Sequence, residues 1–66
     1  MTITINGQAR ELDDVATVSA LLAVLGQDAR PVLVEHNGTA LFPREFATTR
    51  VATGDVLEII ELAAGG

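Results

Sequence analysis

The last four residues of the chain are those whose types and order most clearly suggest a chemical function. The sequence ends in Ala63-Ala64-Gly65-Gly66, so no side chain larger than a methyl group precedes the terminal carboxylate. Glycine adopts backbone angles that other residues avoid, and it lets another surface approach the main chain closely. We therefore predict a flexible tail whose Gly66 carboxylate can enter a narrow active site. Small residues are also tolerated at termini that have no function, so the tail alone does not decide the matter.

Reactive side chains are few elsewhere. The chain contains no cysteine and hence no nucleophilic thiol or thiolate metal site, and its four basic residues are all arginines. An acyl species formed at the tail would meet few nucleophiles in its own chain, although drift in composition explains the missing lysines equally well. We predict that His36, the only histidine, is solvated at a strand end and that Asp13-Asp14 forms a turn rather than a metal site. The chain is therefore predicted to be neither an enzyme nor a metal-binding protein.

Length and charge narrow the range of partners. Sixty-six residues are sufficient for one small domain, and a net charge of -5 with two aromatic residues argues against nucleic acid and anionic membranes as partners. The acidic balance mildly favours a basic protein partner. No signal peptide or membrane-spanning run is recognisable, and the expected location is the cytoplasm.

The elements that must position the tail follow from the hydropathy pattern. Residues 1–5 alternate strictly between apolar and polar, and Asn6-Gly7 is the preferred pair for a type I′ hairpin turn. An apolar stripe with helical spacing begins after Thr17, a good N-cap, and stops before Gly26. The predicted elements are strands at 1–5, 8–12, 31–35, 40–42 and 56–62 and a helix at about 18–25.

The last predicted strand leads directly into the tail, so the directions of its side chains are important. Because strand side chains alternate, Leu57 and Ile59 share one face while Ile60 and Leu62 share the other. With the first pair facing the helix, the second pair forms a candidate docking face for a partner, although isolated surface aliphatics are also normal. The predicted core consists of Ile3, Ile5, Val18, Leu21, Leu22, Leu25, Val32, Val34, Leu57 and Ile59.

The order of hairpin, helix, strand, short strand and strand predicts an α+β fold of the β-grasp type, a small mixed sheet with one helix packed across it. We place the β-grasp domain at residues 1–62 and the flexible tail at residues 63–66. The whole chain resembles the thiamine sulfur-carrier (ThiS) family within the ubiquitin-like group. The resemblance rests on Ile3-x-Ile5-Asn6-Gly7, Thr17-Val18-x-x-Leu21-Leu22, Val34-Glu35-x-Asn37-Gly38, Pro43-Arg44-Glu45-Phe46, Gly54-Asp55-x-Leu57-Glu58-Ile59 and Gly65-Gly66.

The resemblance implies a carrier rather than an enzyme. In such a system a ThiF-like partner uses ATP and magnesium, which this chain does not itself bind, to adenylate the carboxylate of Gly66. Sulfur from a donor such as a cysteine desulfurase then replaces AMP and leaves a thiocarboxylate, which a ThiG-like thiazole synthase uses to build the thiazole of thiamine. Gly65, Ala64 and Ala63 would give the tail its clearance.

Three alternatives remain open from the sequence. A molybdopterin-synthase sulfur carrier of the MoaD type also ends in Gly-Gly on this fold, but it is usually longer and lacks the Pro-Arg-Glu block. A ubiquitin-like modifier that is transferred to substrate lysines would use the same tail. A non-catalytic β-grasp interaction module would carry the two glycines incidentally.

Overall fold

The computed structural model describes residues 1–62, so the predicted tail at residues 63–66 lies outside the described residues. Within residues 1–62 the chain forms five strands, one α-helix and one 3-10 turn. Their bounds are β1 Thr2–Ile5, β2 Gln8–Glu11, α1 Val18–Val24, β3 Val32–His36, β4 Thr39–Leu41, the 3-10 turn Pro43–Glu45 and β5 Val56–Glu61. The predicted elements are confirmed, with ends that differ by no more than one residue.

The five strands form one mixed sheet in the order β2-β1-β5-β3-β4. The β1 and β5 strands run parallel, whereas every other neighbouring pair is antiparallel. Buried residues of α1 pack with those of the strands in a single core, so the helix covers one face of the sheet. This confirms the predicted β-grasp architecture, and it places the last strand in the middle of the sheet.

Both hairpins close through Asn-Gly pairs. The loop between β1 and β2 consists of Asn6 and Gly7, whose φ angles are 50° and 80°. The loop between β3 and β4 consists of Asn37 and Gly38, with φ angles of 49° and 85°. A type I′ turn requires positive φ at both central residues. Two-residue hairpins favour this turn because its twist matches that of the flanking strands. The type I′ turn predicted at Asn6-Gly7 is confirmed.

The helix is capped at both ends as its sequence predicts. The Thr17 hydroxyl accepts a hydrogen bond of 3.2 Å from the Ala20 N–H. At the other end, Gly26 adopts a φ of 73° and donates to the Ala23 carbonyl, while Gln27 donates to the Leu22 carbonyl. These two bonds form a Schellman motif, which satisfies carbonyls that the helix end would otherwise leave unpaired.

Nine of the ten predicted core residues are buried, and the exception is Leu25. This residue is the C-cap of α1, so it lies at the rim of the core and is only partly buried. The prediction that Leu25 is buried was therefore wrong. Val51 is buried instead, because its loop is joined to the segment before the helix by a hydrogen bond from the Val51 N–H to the Ala16 carbonyl. A single apolar residue in an irregular segment has no periodicity that would reveal it.

Candidate functional site

The strand that leads into the predicted tail belongs to the described residues, whereas Gly66 and the predicted clearance residues Gly65, Ala64 and Ala63 lie outside them. The last strand, β5, is flanked by β1 on one side and β3 on the other. Pairing with β3 extends from the Leu57–His36 pair to the Glu61–Val32 pair. Beyond the strand, the Leu62 N–H still donates to the Pro31 carbonyl at 2.9 Å. The main chain is therefore held by the sheet up to the residue that precedes the tail.

The side chain of Asn6 forms hydrogen bonds with β5 just beyond the point where the pairing between β1 and β5 ends. Parallel pairing is regular as far as the bond from the Asn6 N–H to the Leu57 carbonyl, after which the chain turns away into the hairpin. The next main-chain groups of β5 on that side belong to Ile59. The Asn6 side chain replaces main-chain pairing at this position. Its Nδ2 donates to the Ile59 carbonyl at 2.9 Å and its Oδ1 accepts from the Ile59 N–H at 2.8 Å.

Asn37 makes the corresponding contacts on the β3 side. Its N–H donates to the Val56 carbonyl, and its Oδ1 accepts from the Val56 N–H at 2.8 Å. Its Nδ2 donates to Asp55 Oδ1 at 3.1 Å. Asn-Gly pairs are typical of hairpin turns, but turn propensity says nothing about which distant strand an asparagine side chain will contact. These contacts were missed for that reason.

His36 is not the solvated residue that the sequence predicted. Its Nε2 lies 2.8 Å from Asp55 Oδ2, and both side chains are more than four-fifths buried. Burial raises the pKa of the Asp55 carboxyl. Hydrogen bonds from the Ala52 N–H, His36 and Asn37, together with the charge of His36, outweigh burial and hold that pKa below its ordinary value of 3.8. The prediction was wrong because Asp55, which folds back against the strand, is 19 positions away in sequence.

The predicted docking face is exposed to solvent. Leu57 and Ile59 point into the core, whereas Ile60 is 56% exposed and Leu62 is 41% exposed. Leu33, itself 54% exposed, lies directly opposite Ile60 on β3. We call the sheet surface turned away from α1 the open face. It carries a small apolar patch, formed by Leu33, Ile60 and Leu62, next to the root of the tail.

Two carboxylates lie beside this patch on the open face. Glu35 of β3 is directly opposite Glu58 of β5, in the row next to Leu33 and Ile60. Both glutamates are exposed, and among the ion pairs of residues 1–62 neither has a cationic partner. A neighbouring glutamate on β5, Glu61, does form a 2.6 Å ion pair with Arg30. The open face therefore combines an apolar patch with uncompensated negative charge.

Comparison with known proteins decides the family. The model of the ThiS family matches residues 3–66, which is nearly the whole chain and includes both terminal glycines. The chain belongs to the ThiS family. Two solved structures of the ThiS thiamine biosynthesis protein from Geobacter metallireducens are similar to it at 35% identity, and both cover all of this chain. The crystal structure, all of which is covered, has a TM-score of 0.83, and the solution structure, of which 88% is covered, has a TM-score of 0.81.

A curated relative shows the same type of chain in a larger setting. This ThiS family member is 41% identical over all of its 66 residues to a thiazole synthase from Paramagnetospirillum magneticum. It spans 20% of the length of that relative. Membership in the family supports the role of a small sulfur carrier. Among the described residues, no helix has the length and apolar character needed to cross a membrane.

Proposed function

We propose that this chain is a sulfur carrier for thiazole formation in thiamine biosynthesis, with the Gly66 carboxylate as the group that carries sulfur. The observation that carries the proposal is the ThiS family match over residues 3–66, since it includes the terminal glycines as well as the domain. The scaffold is consistent with such a role. It offers a central strand that Asn6 and Asn37 bind on its two sides, at Ile59 and Val56, and that stays hydrogen-bonded on the β3 side up to Leu62.

The proposed chemistry follows from the properties of a carboxylate. At neutral pH the group is ionised and is a poor electrophile, so its oxygen cannot be displaced directly. An adenylating partner transfers AMP from ATP to the Gly66 carboxylate, with magnesium on the partner and pyrophosphate as the leaving group. Hydrosulfide or an equivalent donor then attacks the acyl carbon, and AMP leaves with the electron pair of the broken C–O bond. The product is a thiocarboxylate, and this chain contributes the acyl group without catalysing either step.

The fold would serve this chemistry by fixing the point from which the tail starts. Four residues span at most about 14 Å when fully extended, so the domain must dock close to the partner's catalytic centre. The docking surface that we propose is the apolar patch of the open face, with Ile60 and Leu62 as its principal contacts. A patch at the root of the tail orients the last residues more precisely than a distant surface would.

The proposed partners are a ThiF-like adenylating enzyme, a sulfur donor such as a cysteine desulfurase and a ThiG-like thiazole synthase, all in the cytoplasm. The Paramagnetospirillum relative supports the proposal that a thiazole synthase is one of the partners. In that protein, called a thiazole synthase, a segment similar to this whole chain accounts for a fifth of the length. A carrier and a synthase that act in sequence benefit from being joined, because tethering raises the effective concentration of one for the other.

The test is the mass of the tail after reaction. The full chain, incubated with the adenylating enzyme, ATP, magnesium and a sulfide source, should gain the mass difference between sulfur and oxygen, localised to Gly66. Hydroxylamine added in place of sulfide should trap the adenylate as a hydroxamate at the same residue. Deletion of Gly66, with far-UV circular dichroism as the control for folding, should abolish both products. Thiazole formation supported equally well by the deleted chain would refute the proposal.

A further inference from the structure

The open face contains a small recess in which apolar and acidic groups meet. Its volume is about 150 Å³, and its lining includes Leu33, Ala40 and Ile60 together with Glu35 and Glu58. Glu35 and Glu58 are a directly opposed pair on two antiparallel strands. The recess therefore has apolar walls of moderate size and two carboxylates from facing positions of neighbouring strands.

The acidic pair is unfavourable in the isolated domain. Like charges directly opposite each other on neighbouring strands repel and destabilise the sheet. None of the four arginines relieves this repulsion by an ion pair within residues 1–62. Arg30 is engaged with Glu61, Arg44 lies over the Phe42 ring and Arg10 lies opposite Ile3, whose side chain is on the helix side of the sheet. The repulsion would be relieved by a cation supplied from outside the domain.

We propose that this recess receives an arginine side chain of the adenylating partner, and that Glu35 and Glu58 are specificity determinants for that partner. An arginine has an aliphatic stem that can pack against Leu33 and Ile60. Its planar guanidinium presents several N–H donors in fixed directions, so it can bind two carboxylates at once. The inference rests on the proposed function, and it adds the chemistry by which the docking face would select its partner.

Other occupants fit this recess less well. A second copy of the chain, docked through the same face, would bring four glutamates together and increase the repulsion. Nucleic acid and other anions are disfavoured by the same charge. A resident metal ion would need more protein ligands, and no group of three or more metal-binding side chains occurs within residues 1–62. A protein surface that presents a cation among apolar groups complements both the carboxylates and the apolar walls of the recess.

The experiment compares the affinities of charge-neutralised variants for the adenylating enzyme. Glu35→Gln and Glu58→Gln keep the shape of each side chain and remove its charge. Each should weaken binding, measured by isothermal titration calorimetry with the full chain, by about tenfold or more. The loss should shrink at high ionic strength, because salt screens the attraction in the wild type. The matched control is Glu11→Gln, which removes an exposed charge from the edge strand of the same sheet and should leave the affinity unchanged.

A stability measurement separates recognition from structure. Removal of one charge of a repelling pair should leave the resistance to urea unchanged or increase it, so weaker binding with undiminished stability is the expected combination. Affinities of Glu35→Gln and Glu58→Gln equal to that of Glu11→Gln would overturn the inference, as would a loss of folding in either variant. If the wild type binds and forms the thiocarboxylate in that case, the proposed function survives. A wild type that forms no thiocarboxylate would instead overturn the proposed function and this inference with it.

Discussion

Replacement of Asn6 tests whether its side chain holds the strand that precedes the tail. Asn6→Gly removes both hydrogen bonds to Ile59 while leaving a residue that adopts the observed φ of 50° without strain. Asn6→Asp keeps the acceptor for the Ile59 N–H but replaces the donor to the Ile59 carbonyl with a second acceptor. Asn6→Ala removes both bonds and also replaces asparagine, which tolerates the left-handed region, with a residue that does not.

The expected loss in the free energy of unfolding follows from these contacts. A hydrogen bond contributes about 1 kcal/mol net, so loss of the two bonds should cost about 2 kcal/mol. The greater freedom of glycine in the unfolded chain adds about 0.4–1 kcal/mol for Asn6→Gly. Asn6→Ala avoids most of that term but adds about 1–2 kcal/mol of backbone strain. For a domain of this size, 2 kcal/mol corresponds to a fall in Tm of about 8–16 °C.

Far-UV circular dichroism in urea is the suitable assay, because the chain has neither tryptophan nor tyrosine for fluorescence. Hydrogen exchange adds a local measurement. Protection of the Ile59 amide should fall more in Asn6→Gly than protection of the Leu57 amide, which does not depend on the Asn6 side chain. An unfolding free energy within about 0.5 kcal/mol of the wild type, the range of neutral surface changes, would refute the reasoning if Ile59 protection were also unchanged.

Two further predictions concern Asp55 and the open face. Because the pKa of Asp55 is lowered in the folded state, its contribution to stability is present above its ordinary pKa of 3.8 and is lost as pH falls through the folded value. Urea titrations across that range should show a smaller change in the free energy of unfolding for Asp55→Asn than for the wild type. An equal change in both proteins would contradict this prediction. Ile60→Asp should leave circular dichroism unchanged but weaken binding to the adenylating enzyme at least tenfold, as expected for a central apolar contact. Val24→Asp, at a comparably exposed position on α1, is the control, and equal losses in both variants would exclude a specific docking face.

The features that the sequence predicted well are those that repeat along the chain. Alternation determines which side chains of β5 point inward, so the burial of Leu57 and Ile59 and the exposure of Ile60 follow from a period of two. The helix stripe is equally regular and failed only at Leu25, where the helix ends. Turn chemistry was readable for a similar reason, since few residue pairs other than Asn-Gly tolerate positive φ at both positions.

The features that the sequence did not reveal are single contacts between distant residues. Asn6 and Ile59 are 53 positions apart, and no local pattern says that an asparagine side chain will replace a strand. The His36–Asp55 contact has the same character, as does the burial of Val51 in a loop. The Glu35–Glu58 pair became visible only once the register of β3 against β5 was known. Local rules predict elements and their faces, whereas these contacts depend on tertiary register.

The parallel pairing of β1 with β5 has a kinetic consequence. It joins the first strand to the last across almost the whole domain, so the loop that must close before the sheet is complete is nearly as long as the chain. Such non-local pairing slows folding, because chain entropy is lost before the contacts compensate for it. Once formed, the central strand can detach only if both halves of the sheet separate. The segment that presents the tail should therefore open only in global unfolding, and its amides should exchange among the slowest in the protein.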